Sequence, residues 1–310
     1  MTALEAVAAY LPARRVPIEE LAGRLALGER QVRVFRRFHG LGEVCREPDG
    51  TLLDLLFAAA SGLTELRGRE HRVRYVIYAR GMPVGVPYPM NPLHDLCGVL
   101  GLGHAIAFTV THHACASGLL AVDVAGRLLA TDGEPGALAL VLAGEKTFTR
   151  DAELVPETSV FGEGAAACLV SADGEHDRLL SYVSRVRGDF DGRLLADADL
   201  LARFQKEYPE ALAEVILAAV ERAGLRVAEL SLILPHNVNV VSWRRMCRRI
   251  GFPLDRVVLD NVPLTGHNFA ADPFINYRTA AERGLLHDGD TYLVAAAGLG
   301  AIFSAMVFRH

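Results

Sequence analysis

Cys115 lies at the point where a strand-forming segment gives way to a helix-forming one. Residues 106–110 are apolar and partly β-branched, and the proline-free, leucine-rich segment that follows predicts a buried helix. At such a junction, free backbone N–H groups and the positive end of the helix dipole favour a thiolate and can stabilise an oxyanion. Cys115 is therefore a candidate nucleophile, and the alternative is a small cysteine of the core.

Two histidines stand in other loops next to predicted elements. His236 directly follows a predicted buried strand and a proline, at the sheet edge where open α/β folds bind ligands, and a histidine there can donate a hydrogen bond or carry a proton. His267 and Asn268 follow Gly266 in a second loop, and the glycine permits close approach of the backbone. The alternatives are structural: a bond from His236 to a neighbouring carbonyl, and capping of the next helix by Asn268 or Asp272.

These polar groups come from separate strand ends and together fit one kind of chemistry. Cys115, His236 and either His267 or Asn268 match a cysteine thiolate that is aided by two hydrogen-bond donors. A glycine near the C-terminus adds to this set, because the backbone N–H of Gly298 can complete an oxyanion hole with that of Cys115.

Strands alternate with helices along most of the chain. The predicted strands lie at 6–11, 74–80, 106–110, 138–146, 161–171, 230–237 and 256–261, with another after 179 and two after 291; the predicted helices lie at 17–40, 52–66, 94–102, 115–130, 200–223, 243–250 and 274–283. This alternation predicts mostly parallel sheets covered on both faces. The polar stretch 172–178 separates two halves, 1–175 with the nucleophile and 176–310 with the two histidine loops, each with a central buried helix.

Composition argues against several classes of protein. With 51% hydrophobic and 22% charged residues, the 310-residue chain has enough apolar side chains for a sizeable core. Its mean hydropathy of +0.23 is high, but charges interrupt the apolar runs, so we expect no membrane-spanning segment. The charge order at the N-terminus is the reverse of a secretory signal, which predicts a cytoplasmic protein. A net charge of −5 argues against nucleic acid as a partner.

The cysteines form no pattern of metal ligands or disulfides. They are odd in number, widely scattered and contain no CxxC pair: Cys45, Cys97, Cys115, Cys168 and Cys247. We therefore expect neither a disulfide framework nor a metal site. Elsewhere, the Gly- and Pro-rich segment 81–92 around Tyr88 predicts a long loop that borders a site or an interface.

Several segments together resemble the thiolase-superfamily condensing enzymes, specifically the 3-oxoacyl-(acyl carrier protein) synthase III type. The segments are AAYLPARRVP, THHACASGLLAVDVA, FGEGAAACLV, PHNVN, GHNFAAD and AAAGLGAIFSAMVF, and they occur in the family's order at roughly its spacing. The resemblance covers essentially the whole chain. It implies a thiolase-like α/β fold, duplicated and layered (α-β-α-β-α), with mixed sheets and two buried central helices.

The resemblance also implies roles for the site residues. Cys115 would take an acyl group from a thioester of coenzyme A or of an acyl carrier protein, with no tightly bound cofactor. His236 matches the family's first catalytic histidine. The synthase III type usually has asparagine after the glycine, whereas here His267 follows Gly266 and Asn268 comes one place later. A cysteine with two histidines is the pattern of the elongating ketosynthases.

A basic patch follows the His236 loop. Arg244, Arg245, Arg248 and Arg249 make two i,i+4 basic pairs on one short predicted helix. The resembled family has an arginine at the position of Val241 and a tryptophan near its first helix that stacks on adenine. This chain has no tryptophan at residues 30–40. We expect the four arginines to bind the phosphopantetheine phosphate or an acidic helix of a carrier protein, and the alternative is an ordinary solvated face.

The predicted function is acyl transfer from a thioester, and the first of three possibilities is preferred. In the first, an acyl group on Cys115 condenses with a malonyl-type thioester in specialised, polyketide-like metabolism. In the second, the acyl group passes to a hydroxyl or an amine. In the third, the chain is a non-catalytic partner subunit, and the presence of Cys115 counts against this. The resemblance predicts a homodimer, with residues 106–111 as the pairing edge.

Overall fold

A computed structural model of the chain describes residues 2–82, 89–190 and 197–310. Its strands are β1 (Ala3–Tyr10), β2 (Arg15–Pro17), β3 (Glu43–Cys45), β4 (Val73–Ala79), β5 (Ile106–Val110), β6 (Leu138–Gly144), β7 (Leu154–Val155), β8 (Ser159–Val160), β9 (Ala165–Ser171), β10 (Arg178–Val186), β11 (Leu232–Pro235), β12 (Thr291–Gly298) and β13 (Ile302–Arg309). Its α-helices are α1 (Ile18–Leu25), α2 (Glu29–Val34), α3 (Leu52–Ser61), α4 (Pro92–Val99), α5 (Ser117–Asp132), α6 (Ala198–Arg222), α7 (Val240–Ile250), α8 (Val262–Thr265) and α9 (Asp272–Glu282). Half of the predicted loop at 81–92, residues 83–88 with Tyr88, lies outside the described residues.

The main sheet is mixed in direction. Its strand order is β11-β12-β13-β10-β1-β9-β6-β4-β5. β4 runs parallel to β5 and β6, and β11 parallel to β12, whereas the other neighbouring pairs are antiparallel. The expectation of mostly parallel sheets is therefore wrong. Strands buried on both faces are apolar throughout whatever their direction, so the apolar pattern does not reveal which neighbours run antiparallel.

Two helices are buried at the centre of the fold. Side chains of α5 and α9 share one core cluster with strands from both halves of the chain. Gly118 of α5 lies so close to the next layer that an added Cβ would be 2.8 Å from the carbonyl oxygen of Ala270. This contact brings the start of α5, and with it Cys115, beside the loop that carries His267.

The outer layers are also helical. α3 and α4 cover one face of the strands β4, β6 and β9, and α6 and α7 cover β10, β12 and β13. Among the described residues, the segment Ala114–Asp132 is long and apolar enough to cross a membrane by length and composition alone, which corrects the expectation that none would be. It is the central helix, and 61% of that window is buried inside the protein. The predicted division at residue 175 falls just before β10 and stays a prediction.

Two predicted elements differ from the structure. The helix predicted at 17–40 is broken, because Ala26 adopts a left-handed conformation with φ of 52° and ends the first helix. The strand predicted at 256–261 forms a single bridge, between Val257 and Ile233, and does not extend the sheet. Both segments have the apolar pattern of the predicted element, but packing against neighbouring elements determines which structure forms.

Candidate active site

Cys115 lies on a tight turn between β5 and α5. The turn passes through a short 3₁₀ segment, Ala114–Ala116, that leads directly into α5. His112 and Ala114 both have positive φ, 67° and 45°, a region that costs non-glycine residues about 1–3 kcal/mol each. Cys115 is 5% exposed and lines a cavity of about 190 Å³. The predicted position at a strand-to-helix junction agrees with this geometry.

His267 and Asp272 form a line of hydrogen bonds with the thiol. The Nε2 atom of His267 is 3.2 Å from Sγ of Cys115, and its Nδ1 atom bonds the carboxylate of Asp272. Asp272 is fully buried and also accepts from the backbone N–H groups of Asn237, at 2.6 Å, and Asn268, at 2.7 Å. A thiol, an imidazole and a carboxylate that orients the imidazole are thus in contact.

The charge state of His267 follows from these two partners. Burial alone would lower the pKa of His267, but the negative charges of Cys115 and Asp272 outweigh it and raise that pKa to about 10. At neutral pH His267 is therefore positively charged beside the thiol, and a proton can move between Sγ and Nε2 over one hydrogen bond.

His236 lines the same cavity but is held as a hydrogen-bond acceptor. Its Nδ1 atom is 3.3 Å from the carbonyl oxygen of Ala295, and its Nε2 atom is 2.8 Å from Oη of Tyr208. A carbonyl oxygen only accepts, so Nδ1 carries the hydrogen and Nε2 accepts from Tyr208. In this arrangement Nε2 has no hydrogen to give a substrate, unlike the donor role predicted from the sequence.

We expect His236 to make the protein less stable in acid. Burial, and next the positive charge of His267, lower the pKa of His236 to about 3, so the folded protein keeps it neutral. The unfolded chain protonates it below about 6.5, so its contribution to stability is present above that pH and is lost as pH falls towards 3.

Between pH 6.5 and pH 5 the free energy of unfolding should fall by about 2 kcal/mol, because each pH unit contributes about 1.4 kcal/mol. His267 affects stability in a higher pH range. Because its pKa is raised, the stability that it contributes is lost as pH rises from about 6.5 to 10. Urea unfolding of the wild type and His236→Asn at both acidic pH values measures the effect. Parallel pH dependences of the two proteins would contradict it.

Asn268 does not face the thiol. Its Oδ1 atom accepts from the backbone N–H of Gly164 at 2.9 Å and from Sγ of Cys45 at 3.1 Å, and its amide group donates to the carbonyl of Gly266. Of the two side chains left open by the sequence, His267 is the one beside Cys115. Asn268 instead ties its loop to the start of β9.

Gly298 lies against the turn that carries Cys115. An added Cβ at Gly298 would be 2.1 Å from the carbonyl oxygen of His113, so only glycine fits without a shift of the turn. Gly298 and Cys115 both line the cavity. The predicted oxyanion hole from their backbone N–H groups stays a prediction.

Apolar side chains surround the thiol. Cys115 clusters with Val155, Phe161 and Phe269, and the partly buried Met82 and Leu299 pack against this cluster. Phe161 stacks on the ring of His267, with 4.8 Å between the ring centroids, and on Phe269 at 4.3 Å. The stack fixes the plane of the imidazole and shields its contact with the thiol from water.

The four arginines lie together on the outer face of α7. Their side chains are exposed, whereas Trp243, Met246, Cys247 and Ile250 bury the opposite face. Arg245 lines the cavity, and Arg249 forms an ion pair with Glu210 of α6. Trp243 Nε1 donates to the carbonyl oxygen of His236 at 2.9 Å, which joins this helix to the site.

Sequence analysis missed two polar residues of this site. Asp272 was interpreted as a helix cap, although its position at the start of α9, five residues after His267, is a signal that the two can meet. Tyr208 carries no sequence signal, because it lies mid-helix in α6, 28 residues before His236. Both residues are brought to the cavity by tertiary packing.

Comparisons with known proteins agree with the motifs. Residues 220–310 match the family model for the C-terminal part of 3-oxoacyl-[acyl-carrier-protein (ACP)] synthase III. The crystal structure of 3-oxoacyl-[acyl-carrier-protein] synthase III from Aquifex aeolicus VF5 is 21% identical and superposes with a TM-score of 0.86 over 100% of both chains. The priming β-ketosynthase of the R1128 polyketide pathway is 20% identical, with a TM-score of 0.84 over 100% of this chain and 96% of that one.

A third structure, ChlB3, described as an acyltransferase, is 19% identical, with a TM-score of 0.86 over 99% of this chain and 97% of that one. The chain is therefore synthase III-like, in sequence over residues 220–310 and in fold over its whole length, and the predicted thiolase-like layered fold is confirmed. Synthase III-like proteins are acyl-transferring or condensing enzymes, and the prediction of this enzyme class is confirmed at that level.

Proposed function

We propose that this chain carries an acyl group on Cys115, taken from a coenzyme A or carrier-protein thioester, and passes it to a hydroxyl or an amine. The observation that carries the proposal is the contact of Cys115, His267 and Asp272 in one hydrogen-bonded line. Such a line supplies a nucleophile and a base that acts twice, first on the thiol and then on a protic acceptor.

The first half-reaction uses the ion pair of Cys115 and His267. Sγ attacks the thioester carbonyl carbon, and the bond from that carbon to the donor's sulfur breaks. His267 gives its proton to the departing thiolate and becomes neutral. In the second half-reaction the acceptor attacks the acyl carbon, its proton moves to Nε2 of His267, and Sγ leaves as a thiolate. Asp272 stabilises the imidazolium each time it forms.

Condensation with a malonyl-type thioester is the second candidate function. The combination of Cys115 with two cavity histidines favours it, and the R1128 priming β-ketosynthase has the same fold. Decarboxylation needs two donors for the enolate oxygen. His236 gives its only hydrogen to Ala295, so His267 would be left as the single histidine donor. Condensation therefore ranks below transfer to a protic acceptor.

Intact-mass spectrometry tests the proposal. The protein is incubated with a panel of acyl-coenzyme A and acyl-carrier-protein thioesters, with and without malonyl-coenzyme A. We expect the wild type to gain one acyl mass from at least one donor, and Cys115→Ala to gain none. A wild type that gains no acyl mass from any thioester refutes the enzyme function and leaves a non-catalytic subunit. Release of carbon dioxide with a lengthened acyl product would establish condensation.

The partners and location are also proposals. The exposed arginines of α7, of which Arg245 lines the cavity, suit the phosphate of phosphopantetheine or an acidic carrier protein. The acyl thioester is a substrate in this proposal, and no tightly bound cofactor is invoked. A role in specialised, polyketide-like metabolism and a cytoplasmic location stay predictions from the sequence.

A homodimer is the proposed assembly. β5 is the edge strand of the sheet, and its residue Ile106 is 60% exposed. Exposed strand edges pair readily with another chain, so two copies joined through residues 106–111 would continue the sheet. We expect light scattering to give twice the 33.5 kDa of one chain, and Ile106→Lys to weaken the dimer. A wild-type monomer at micromolar concentration would contradict this assembly.

A further inference from the structure

Tyr208 is a polar residue of the cavity to which the proposed function gives no role. It lies on α6 and is half-buried, with its ring against Phe204 and Phe303 at centroid distances of 5.8 Å. Tyr208 lines the same cavity as Cys115, His236 and His267. Its aromatic neighbours hold the ring, so Oη has a fixed place on the cavity wall.

The hydrogen of Tyr208 is already committed. The carbonyl oxygen of Ala295 keeps the hydrogen of His236 on Nδ1, so Nε2 of His236 is an acceptor and Tyr208 donates to it over 2.8 Å. A phenol has one hydrogen and two acceptor lone pairs. Oη therefore offers only lone pairs to anything that enters the cavity.

His267 offers a second acceptor once Cys115 is acylated. Its proton has then left with the donor's thiol, and Nδ1 still donates to Asp272, so Nε2 carries a lone pair. The acyl-enzyme thus presents two acceptors, Nε2 of His267 and Oη of Tyr208, to the group that attacks. A primary amine has two hydrogens on the attacking atom, an alcohol has one, and a carbanion has none.

We propose that the acyl acceptor is a primary amine and that Tyr208 positions it by accepting its second N–H. This inference rests on the proposed acyl transfer and names the substrate class of that site. One N–H of the amine bonds Nε2 of His267, and the other bonds Oη of Tyr208. Both bonds aim the nitrogen lone pair at the acyl carbon on Cys115.

The step balances without a further reactant. The amine nitrogen forms a bond to the acyl carbon, and the bond from that carbon to Sγ of Cys115 breaks. The N–H proton held by His267 moves to Nε2, and the electron pair of the broken bond stays on Sγ. The product is an amide, and the ion pair of Cys115 and His267 is restored. Tyr208 keeps its own proton throughout and is a positioning residue.

The test compares two small amines on isolated acyl-enzyme. Cys115 is acylated with acetyl-coenzyme A, excess donor is removed, and loss of the acetyl mass is followed with one of two amines. The amine nitrogen of glycinamide carries two hydrogens, and that of sarcosinamide carries one. The variant is Tyr208→Phe. Tyr75→Phe is the matched control, because its hydroxyl bonds Asp132 at 2.7 Å and Tyr75 does not line this cavity.

We expect Tyr208→Phe to slow transfer to glycinamide about tenfold, the usual effect of one hydrogen bond, and to leave transfer to sarcosinamide and acylation by acetyl-coenzyme A unchanged. Tyr75→Phe should match the wild type in all three measurements. Because amines attack thioesters faster than alcohols without any enzyme, the selective effect of the variant on glycinamide is the diagnostic result.

Three results would overturn the inference. Equal lifetimes of the wild-type and Tyr208→Phe acyl-enzymes in glycinamide exclude positioning by Tyr208, whether both are short or both are long. An equal slowing with both amines indicates a structural role. Faster transfer to glycolamide, the hydroxyl counterpart, than to glycinamide makes the acceptor an alcohol and leaves the proposed function standing. Failure of acylation by every thioester of the panel would instead refute the proposed function.

Discussion

Asp272→Asn is expected to slow acylation of Cys115 by about 10³-fold or more. In the wild type the carboxylate accepts the Nδ1 hydrogen of His267, which keeps Nε2 facing Sγ as the base. An asparagine amide can turn its NH₂ group to Nδ1 and force the hydrogen onto Nε2, where it can no longer take the thiol proton. In the serine protease template the corresponding change costs about 10⁴-fold in kcat.

The measurement is acyl mass gained per unit time, together with the pH dependence of alkylation by iodoacetamide. The pKa of His267 is about 10, so its charge beside Sγ, and with it the alkylation rate, should change little near neutral pH. In Asp272→Asn the loss of the carboxylate charge lowers the pKa of His267, so the alkylation rate should change with pH in that range. A mere loss of packing would lower both rates without this change in the pH profile.

Asp177→Asn is the matched control for replacing a buried carboxylate by an amide. Asp177 is 3% exposed and bonds Tyr277 and His310, away from the cavity. Urea unfolding of both variants separates stability from catalysis. Acylation of Asp272→Asn within a few-fold of the wild-type rate, with slow acylation of His267→Ala, would mean that His267 acts without help from Asp272. A catalytic role of Asp272 would then be excluded.

The sequence was sufficient to predict that Cys115 and both histidines belong to one site, and all three line the same cavity. Cys115, His236 and His267 each stand where a strand or a helix ends, and chemistry of that kind is visible in residue order. A bond from His236 to a carbonyl was one of the two alternatives, but its partner was not predictable, because the carbonyl that sets the tautomer belongs to Ala295 on β12, 59 residues away. A contact between residues so far apart in sequence depends on how the sheet is assembled.

Asp272 shows a second limit of prediction from sequence. A carboxylate followed by proline at the start of a helix is explained completely by capping chemistry, so nothing in the pattern calls for another role. The loop folds back because Phe269 adopts a left-handed conformation with φ of 52°. This turn directs Asp272 to His267, and a non-glycine residue in that conformation is not evident from the sequence.

The other large effect concerns the arginines on α7. We expect the double reversal Arg244→Glu and Arg248→Glu to lower kcat/KM for an acyl-carrier-protein donor by about 10–100-fold at low salt. Both side chains are exposed, one turn apart, and form no ion pair with the acidic side chains that the structure describes. Unpaired surface charge of one sign speeds the encounter with a partner of opposite sign.

Arg222→Glu with Arg226→Glu is the matched control. Both residues are exposed. Arg222 ends α6, 14 residues and about 21 Å along the helix from Tyr208, and Arg226 lies four residues beyond that end. The control changes the net charge of the protein by the same amount. It should leave acylation by the carrier protein within about twofold of the wild type, so a similar loss in both variants would mean that overall charge matters and that the α7 surface does not.

Kinetics with the two donors at different salt concentrations distinguish what the arginines bind. If they dock a carrier protein, the effect should shrink steeply from about 0.05 M to 1 M salt, where the Debye length falls to about 3 Å, and acyl-coenzyme A should lose much less. If they bind the phosphates shared by both donors, the two should weaken together. Wild-type kinetics with both donors in the double variant would leave the four arginines as a solvated face. The effect should depend on salt because the arginine side chains are exposed, so dissolved ions can screen their charges.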